Sequence, residues 1–444
     1  MKALQTNLRE NRRWLTAAVL LPAYAFLYDN ATSMPMAMGY GWTRLTPLSR
    51  QVRLIEIVVI LLLLGLALRH GVSRLTRNLL IGILLFIGLG LMSFLRGAQV
   101  PLIDGVRLVY MWVLPLFIFI IGREAPWGRG AWTWTARTVL VWVAASAAIS
   151  WVQFALLGYP VGDHITGFNK DAHANGTLFM VTALLLLALA LFFERRAAGF
   201  AALALLMTMV LSSVLKVMFL GVVAVALPVW IYLRAARQGR AGATPHGLRW
   251  GITVAVLVGL VGVAFSQVDV ISSDRLGDLG DKVRNDPQSL GPLRAHEAAL
   301  IKTGRDLTTL ALGMGPFRFA NPISVGQVLT DSSLGKSASG EVLAVADETG
   351  ELTRITLSSS LLAEFGVPAW LVVVVLYSMA GRAVWRSAKH HSLDIRARGA
   401  GLVAAGSILA MIPLASLFGS FDVISVSWPV MLLSGILCRE ADHR

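Results

Sequence analysis

Cysteine and charge are what this chain has least of. A single cysteine, Cys438, stands among 444 residues, so no internal disulfide can form and every segment must be held by packing and hydrogen bonds. Charged residues make up 14% of the chain, against about 25% in an ordinary soluble domain. That shortage excludes a soluble globule, and the disordered, collagen-like and disulfide-stapled classes go with it. The sequence also lacks an internal repeat of the transporter kind, a low-complexity tract, and a pair of broken helices at the bilayer midplane. No small-residue cleavage pattern follows the first apolar run, so that run is expected to stay as a first helix rather than act as a signal peptide.

What is abundant is apolar. Hydrophobic residues make up 56% of the chain and the mean hydropathy is +0.68. Runs of roughly 16–20 residues recur, long enough to cross a hydrocarbon layer about 30 Å thick as helices. The pattern predicts an all-α polytopic membrane protein with about twelve spans: Trp14–Leu27, Leu54–Leu68, Leu79–Leu95, Leu108–Gly122, Thr138–Leu157, Leu178–Phe193, Phe200–Leu211, Val217–Leu233, Trp250–Phe265, Leu357–Ala380, Gly401–Gly419 and Val423–Cys438. Residues 1–265 then form a nine-span bundle, 266–356 one large loop, and 357–444 a three-span bundle.

The net charge of +14 would suggest nucleic acid in a soluble protein. Here the cations sit in short connections, where they set orientation, so nucleic acid is not expected as a partner. With the N-terminus inside, the inner segments hold 23 Lys and Arg and the short outer ones 7, while the long loop is exempt from the count. Both termini are therefore expected to be cytoplasmic, with the loop outside. Nearly half of the chain's 25 acidic residues lie in that loop. Leu293–Leu312 has apolar residues at helical spacing and reads as one amphipathic helix against the bundle, stopped by the glycines of GMGPFRF. Asn321–Glu351 reads as irregular or short-stranded.

Ionisable groups in or beside spans are expensive, which makes each a candidate. Lys216, in LSSVLKVMFLG, either holds an anionic group at the membrane surface or snorkels to the interface. The connection GYPVGDHITGFNKDAHANG packs Asp163, His164, Lys170, Asp171 and His173 together, as a substrate-facing loop or a solvated link; its spacing matches no metal-ligand motif. His173 either serves as a general base near neutral pH or helps cap the helix that follows. Arg294, His296, Glu297, Lys302, Arg305 and Arg318 form either an oxyanion-binding face, for which arginine's planar fork is suited, or a solvated one. Glu364, near the start of the tenth span, needs a cationic partner such as Arg294 or Lys216 if buried.

Three stretches resemble the O-antigen ligase and polysaccharide polymerase superfamily (Wzy/WaaL-like membrane glycosyltransferases of GT-C type). GFNKDAHANGTLFMVTALLLLAL, Gly167–Leu189, is similar to the family's polar loop and following helix. LSSVLKVMFLGVVAVAL, Leu211–Leu227, is similar to its cationic turn between adjacent helices. The third runs from GPLRAHEAALIKTGRDLTTLALGMGPFRF, Gly291–Phe319, to LLAEFGVPAWLVVVVLYSMAG, Leu361–Gly381, and resembles the large outer loop with its exit helix.

The resemblance implies a bacterial inner-membrane enzyme that binds an undecaprenyl-diphosphate-linked oligosaccharide outside the cytoplasm and transfers its glycan with inversion, using neither metal nor cofactor. Carried over, it makes Lys216 and Arg294 the diphosphate-binding cations, with Arg284, Arg305 and Arg318 as further ones. The base is then His296, His173 or no protein group at all, and Asp171 and Glu364 are supporting carboxylates. The histidine that ligases carry where the outer loop enters the exit helix is missing from Leu357-Ser358-Ser359-Ser360-Leu361. Its absence favours a polymerase of exopolysaccharide or O-antigen repeat units over a ligase that moves finished glycan to a lipid or protein, and a transporter or flippase without bond-making is the reading from another class. Partners implied are the lipid bilayer, the lipid-linked donor and, for a polymerase, a chain-length regulator and export machinery.

Overall fold

The computed structural model describes residues 14, 16, 17, 20, 21, 58–69, 71–97, 102–127, 131–159, 165, 167, 175, 176, 178, 179, 182, 183, 186, 196–212, 299–301, 303, 304, 306–315, 343–346, 352–355, 357–388 and 424–442. In chain order these give α1 (Val58–Leu68), α2 (Arg74–Gly97), α3 (Leu102–Glu124), α4 (Ala131–Ala155), α5 (Arg196–Ser212), the short α6 (Leu307–Leu312), strands β1 (Leu343–Ala346) and β2 (Leu352–Ile355), α7 (Leu357–Ala388) and α8 (Ile424–Asp442). Three stretches, Arg74–Gly97, Ala131–Ala155 and Leu361–Ala388, are helical, long and apolar enough to cross a membrane. The protein is a helical membrane protein by that criterion.

The helices overrun the apolar stretches that predict them. α2 begins five residues before Leu79, because Ser73 caps it: its Oγ accepts from the Thr76 amide at 3.2 Å. Polar residues at the ends of a span stay helical, since that keeps backbone groups satisfied where water thins out. On α2 the buried residues Thr76, Leu79, Ile83, Phe86, Gly90 and Ser93 recur every three or four positions. The opposite face exposes Ile81, Leu84, Leu85, Leu91 and Leu95, a surface made for lipid chains rather than water.

Packing centres on α7. Within its spanning window 56% of residues are enclosed, against 28% in α2 and α4. It runs antiparallel to α2, with Leu376 covering Gly82, the Phe86 and Phe365 rings 6.4 Å apart, and Phe365 also reaching Gly90. Against α3 it sets Tyr377, whose hydroxyl donates to the Trp112 carbonyl at 3.0 Å, in the turn before Pro115. Proline leaves carbonyls of the preceding turn short of donors, which suits such a contact. α8 lies on α3 at backbone range: a Cβ on Gly122 would stand 2.7 Å from the Leu432 carbonyl, and one on Gly435 would meet the Phe119 carbonyl.

One end of this bundle is closed by ions. Arg123 pairs with Asp442 at 2.6 Å and donates to Ser73 at 3.1 Å; Ser73 and Thr76 both donate to the Glu124 carboxylate, and Arg439 reaches the Glu124 carbonyl at 2.9 Å. The ends of α2, α3 and α8 are thereby tied together.

One expectation changes. The single helix over Leu293–Leu312 is broken: residues 299–301 and 303 are helical, Gly304 turns, and α6 starts afresh at Leu307 under an Asp306 cap with extended backbone (φ −150°, ψ 154°). Asp306 accepts from the Thr309 amide at 2.7 Å, and an aspartate so engaged starts a helix more readily than it continues one. The all-α class stands, with one short hairpin in the loop: β1 and β2 pair antiparallel, Leu343 opposite Ile355 and Ala346 opposite Leu352. That hairpin overlaps the stretch expected to be irregular or short-stranded and continues past it.

Candidate functional site

At the end of the bundle opposite Arg123, α7 is interrupted. Pro368 has no amide to give the Glu364 carbonyl, and Gly366 sits at φ 84°, ψ 170°, outside helical geometry. The carbonyls so released are taken by a second segment. Met314 donates its amide to the Ala363 carbonyl at 2.9 Å and Gly315 to the Glu364 carbonyl at 3.1 Å, while the Ser93 hydroxyl of α2 also donates to Glu364. Irregular backbone at this depth is tolerated because protein groups satisfy it.

The junction is possible only with glycine. Gly313, at φ 72°, closes α6 by donating to the Thr309 carbonyl at 2.8 Å, and a Cβ there would run into the Glu364 carbonyl. A Cβ on Gly366 would lie 2.8 Å from both the Ala311 carbonyl and the Gly313 nitrogen. The two glycines let the GMG and AEFG segments, some fifty positions apart in sequence, meet backbone to backbone.

Arg96, from the last turn of α2, completes the knot. It donates to the Gly313 carbonyl at 2.6 Å and to the Thr309 hydroxyl at 2.9 Å, and lies 3.6 Å from the Asp306 carboxylate. Hydrogen bonds from the Thr309 hydroxyl and amide, with a smaller contribution from the Arg96 charge, hold the Asp306 carboxyl below its ordinary value. The Glu364 side chain is fully buried beside this junction. A cation, a buried carboxylate and a broken helix thus share one end of the bundle, an arrangement able to bind an anion or to relay a proton.

A second polar patch sits on α4. Ser146 donates to the Asn175 side-chain carbonyl and the Asn175 amide to Ser150, each at 2.9 Å; Gln153 accepts from the Gly167 amide at 2.9 Å. Both ends of GFNKDAHANG are therefore pinned to one helix face.

No protein-family model and no curated protein matches this chain.

Of the residues singled out from sequence, Glu364 is placed, and it is fully buried; the cations expected to pair with it, Arg294 and Lys216, lie outside the described residues. Lys216, Arg284, Arg294, His296, Arg305, Arg318, Asp171 and His173 lie outside the described residues. Among the described residues there is no group of three or more His, Cys, Asp or Glu that could hold a metal. Sequence reading overlooked Arg96, Asp306 and Thr309 as a unit, and the Ser146, Ser150, Gln153 and Asn175 patch. The signals were a lone arginine ending a long apolar helix, an Asp three residues before Thr, and polar side chains at positions i, i+4 and i+7 of an apolar run.

Proposed function

We propose that the chain is an inner-membrane glycosyltransferase that polymerises undecaprenyl-diphosphate-linked glycan repeat units on the periplasmic face, with about twelve spans, both termini cytoplasmic, and one large outer loop between the ninth and tenth. The observation that carries it is the junction of GMG with AEFG. These are two of the segments that bear the family resemblance, and they are hydrogen-bonded to each other beside Arg96 and Glu364. Sidedness gains support from which segments meet. Segments 69–78, 123–137 and 439–444, which the cation count puts inside, share the Arg123 cluster, whereas Arg96 and Gly313, which it puts outside, share the other end.

In this reading Lys216 and Arg294, with Arg284, Arg305 or Arg318, neutralise the diphosphate as the C1–O bond breaks and an acceptor hydroxyl attacks from the opposite face. Fixed cations in a partly dehydrated cleft favour that charge more in the transition state than in the ground state. His296 or His173 takes the hydroxyl proton. Purified protein incubated with lipid-linked repeat units, and no nucleotide sugar, is expected to give a ladder of longer glycans that Lys216→Ala abolishes. A single transfer to a lipid or protein acceptor would make it a ligase.

A carrier that moves lipid-linked glycan without bond-making is the alternative; the break in α7 is a discontinuity of the transporter kind, but it is single and lies at one end of the bundle rather than at the midplane. Glycan translocated across proteoliposomes at unchanged length would establish it.

A further inference from the structure

Residues 299–312 of the long loop are inside out for a water-facing segment. Among the described residues the enclosed ones are small or polar, Ala299, Thr303 and Thr309, whereas Leu300, Ile301, Leu307 and Leu310 are exposed, Leu307 to 83%. The enclosed hydroxyls are satisfied close by. Thr303 donates to the Ala299 carbonyl at 2.8 Å; Thr309 donates to the Asp306 carboxylate at 2.5 Å and accepts from Arg96 at 2.9 Å. In water the usual choice is to enclose leucine and turn threonine out. The same inversion runs along the spanning helix α2, where Thr76 and Ser93 are enclosed and Ile81, Leu84 and Leu91 are exposed.

The bonds of this segment fix its depth. Ala299 packs with Leu362 and Ala363, Met314 and Gly315 donate to the Ala363 and Glu364 carbonyls, and Arg96 ties Thr309 and Gly313 to the last turn of α2. All of these anchors belong to the membrane-length stretches Leu361–Ala388 and Arg74–Gly97. At about 1.5 Å per residue, the 28 residues of Leu361–Ala388 run about 42 Å, which is about 6 Å beyond each side of a hydrocarbon layer about 30 Å thick. Ala363 and Glu364 then fall in the headgroup layer, and Arg96, next to the end of its own stretch, falls there too. Trp370, of a residue type concentrated at that level, packs on the Ala299 cluster, and its indole N–H donates to Ser358 at 3.0 Å. The exposed apolar surface of α2 reaches the same place through Leu91, Met92 and Leu95, the last adjoining Arg96 in sequence.

We propose that residues 299–312 are an interfacial element of the bilayer, with Leu300, Ile301, Leu307 and Leu310 at the boundary between headgroups and acyl chains. Lipid is the occupant of this face because the face continues the lipid-facing surface of α2. Charge agrees: the stretch carries Lys302 and Arg305 against one acid, Asp306, which already lies 3.6 Å from Arg96, a balance suited to anionic headgroups. The Arg96 junction thereby belongs to the membrane surface rather than to a soluble domain, whichever reaction the protein performs. At boundary depth, Leu307 stays within reach of aqueous reagents from its own side.

The test is EPR of the full-length protein in liposomes of phosphatidylethanolamine and phosphatidylglycerol, with a nitroxide placed singly at Leu300→Cys, Ile301→Cys, Leu307→Cys and Leu310→Cys. Cys438 is buried and stays unlabelled. Collision with oxygen, which concentrates in lipid, is compared with collision with a water-soluble nickel chelate. The oxygen-to-nickel ratio is expected to exceed that of a nitroxide in water on the order of threefold, and to stay below that of Leu84→Cys in the middle of α2. A loop clear of the membrane would give the ratio of water, and cover by a second copy or another protein would give low collision with both reagents. Three or more positions reading as lipid support the proposal; two or more reading as water or as protein cover overturn it. A variant that is not monodisperse is replaced by Ala311→Cys, also exposed on this segment, and judged alike.

Discussion

Two single residues decide whether the Arg96 junction can form. Gly313 combines a left-handed backbone with a Cβ direction filled by the Glu364 carbonyl, so Gly313→Ala must both strain the turn and push α6 off α7. A loss of about 1–3 kcal/mol is expected, read as a lower thermal midpoint in detergent. Gly88→Ala, in α2 with open space around it, should be neutral or slightly stabilising. Asp306 makes a different prediction. Its folded carboxyl is more acidic than in the unfolded chain, so the stabilisation it gives is present above the unfolded value and is lost as pH falls through the folded one. The α6 cap should weaken below the ordinary carboxylate value of 3.8. Exchange protection of the Thr309 amide, corrected for intrinsic rate, should drop there in wild type and stay flat in Asp306→Asn. Glu364 was legible from sequence, because a carboxylate inside an apolar run has few places to be. Arg96 was not, since its role depends on a carbonyl more than two hundred positions away, which no local spacing encodes.

At the scale of the element, apolar run length located the spanning helices well and their ends poorly. α2, α3, α4 and α7 each extend past the run that announced them, because interfacial arginine, threonine and tryptophan carry the helix on while counting as polar. The break in α7 has its signal in Gly366 and Pro368, yet hydropathy averages across them. Likewise, Leu293–Leu312 keeps a helical period through Gly304 and Asp306 although the chain restarts there. Close helix contact is also invisible to hydropathy. Gly435 lies where α8 meets α3 backbone to backbone, so Gly435→Ala inserts a methyl group where no side chain can yield. Separation of the pair should cost about 1–3 kcal/mol, with the Arg123–Asp442 pair lost along with it. Intact protein recovered from membranes should fall accordingly, and Arg123→Ala alone should cost less than Gly435→Ala if packing rather than the ion pair sets the interface.

For the whole molecule the consequence of these contacts is a polarity. The Arg123 cluster and the Arg96 junction lie at opposite ends of α2, and every span connecting them must alternate in direction. Three exposed positions report on it: Val72 beside the start of α2, Leu157 at the far end of α4, and Leu307 at the start of α6. The native chain offers a silent background, since Cys438 is fully buried. In spheroplasts, Leu157→Cys and Leu307→Cys should react with a membrane-impermeant maleimide, and Val72→Cys only after permeabilisation. The reverse pattern would keep the architecture but put the Arg96 junction in the cytoplasm and overturn the proposed function. Labelling of Leu157 and Leu307 from different sides would be more damaging, because the α4 patch and the α6 junction could then not serve one substrate.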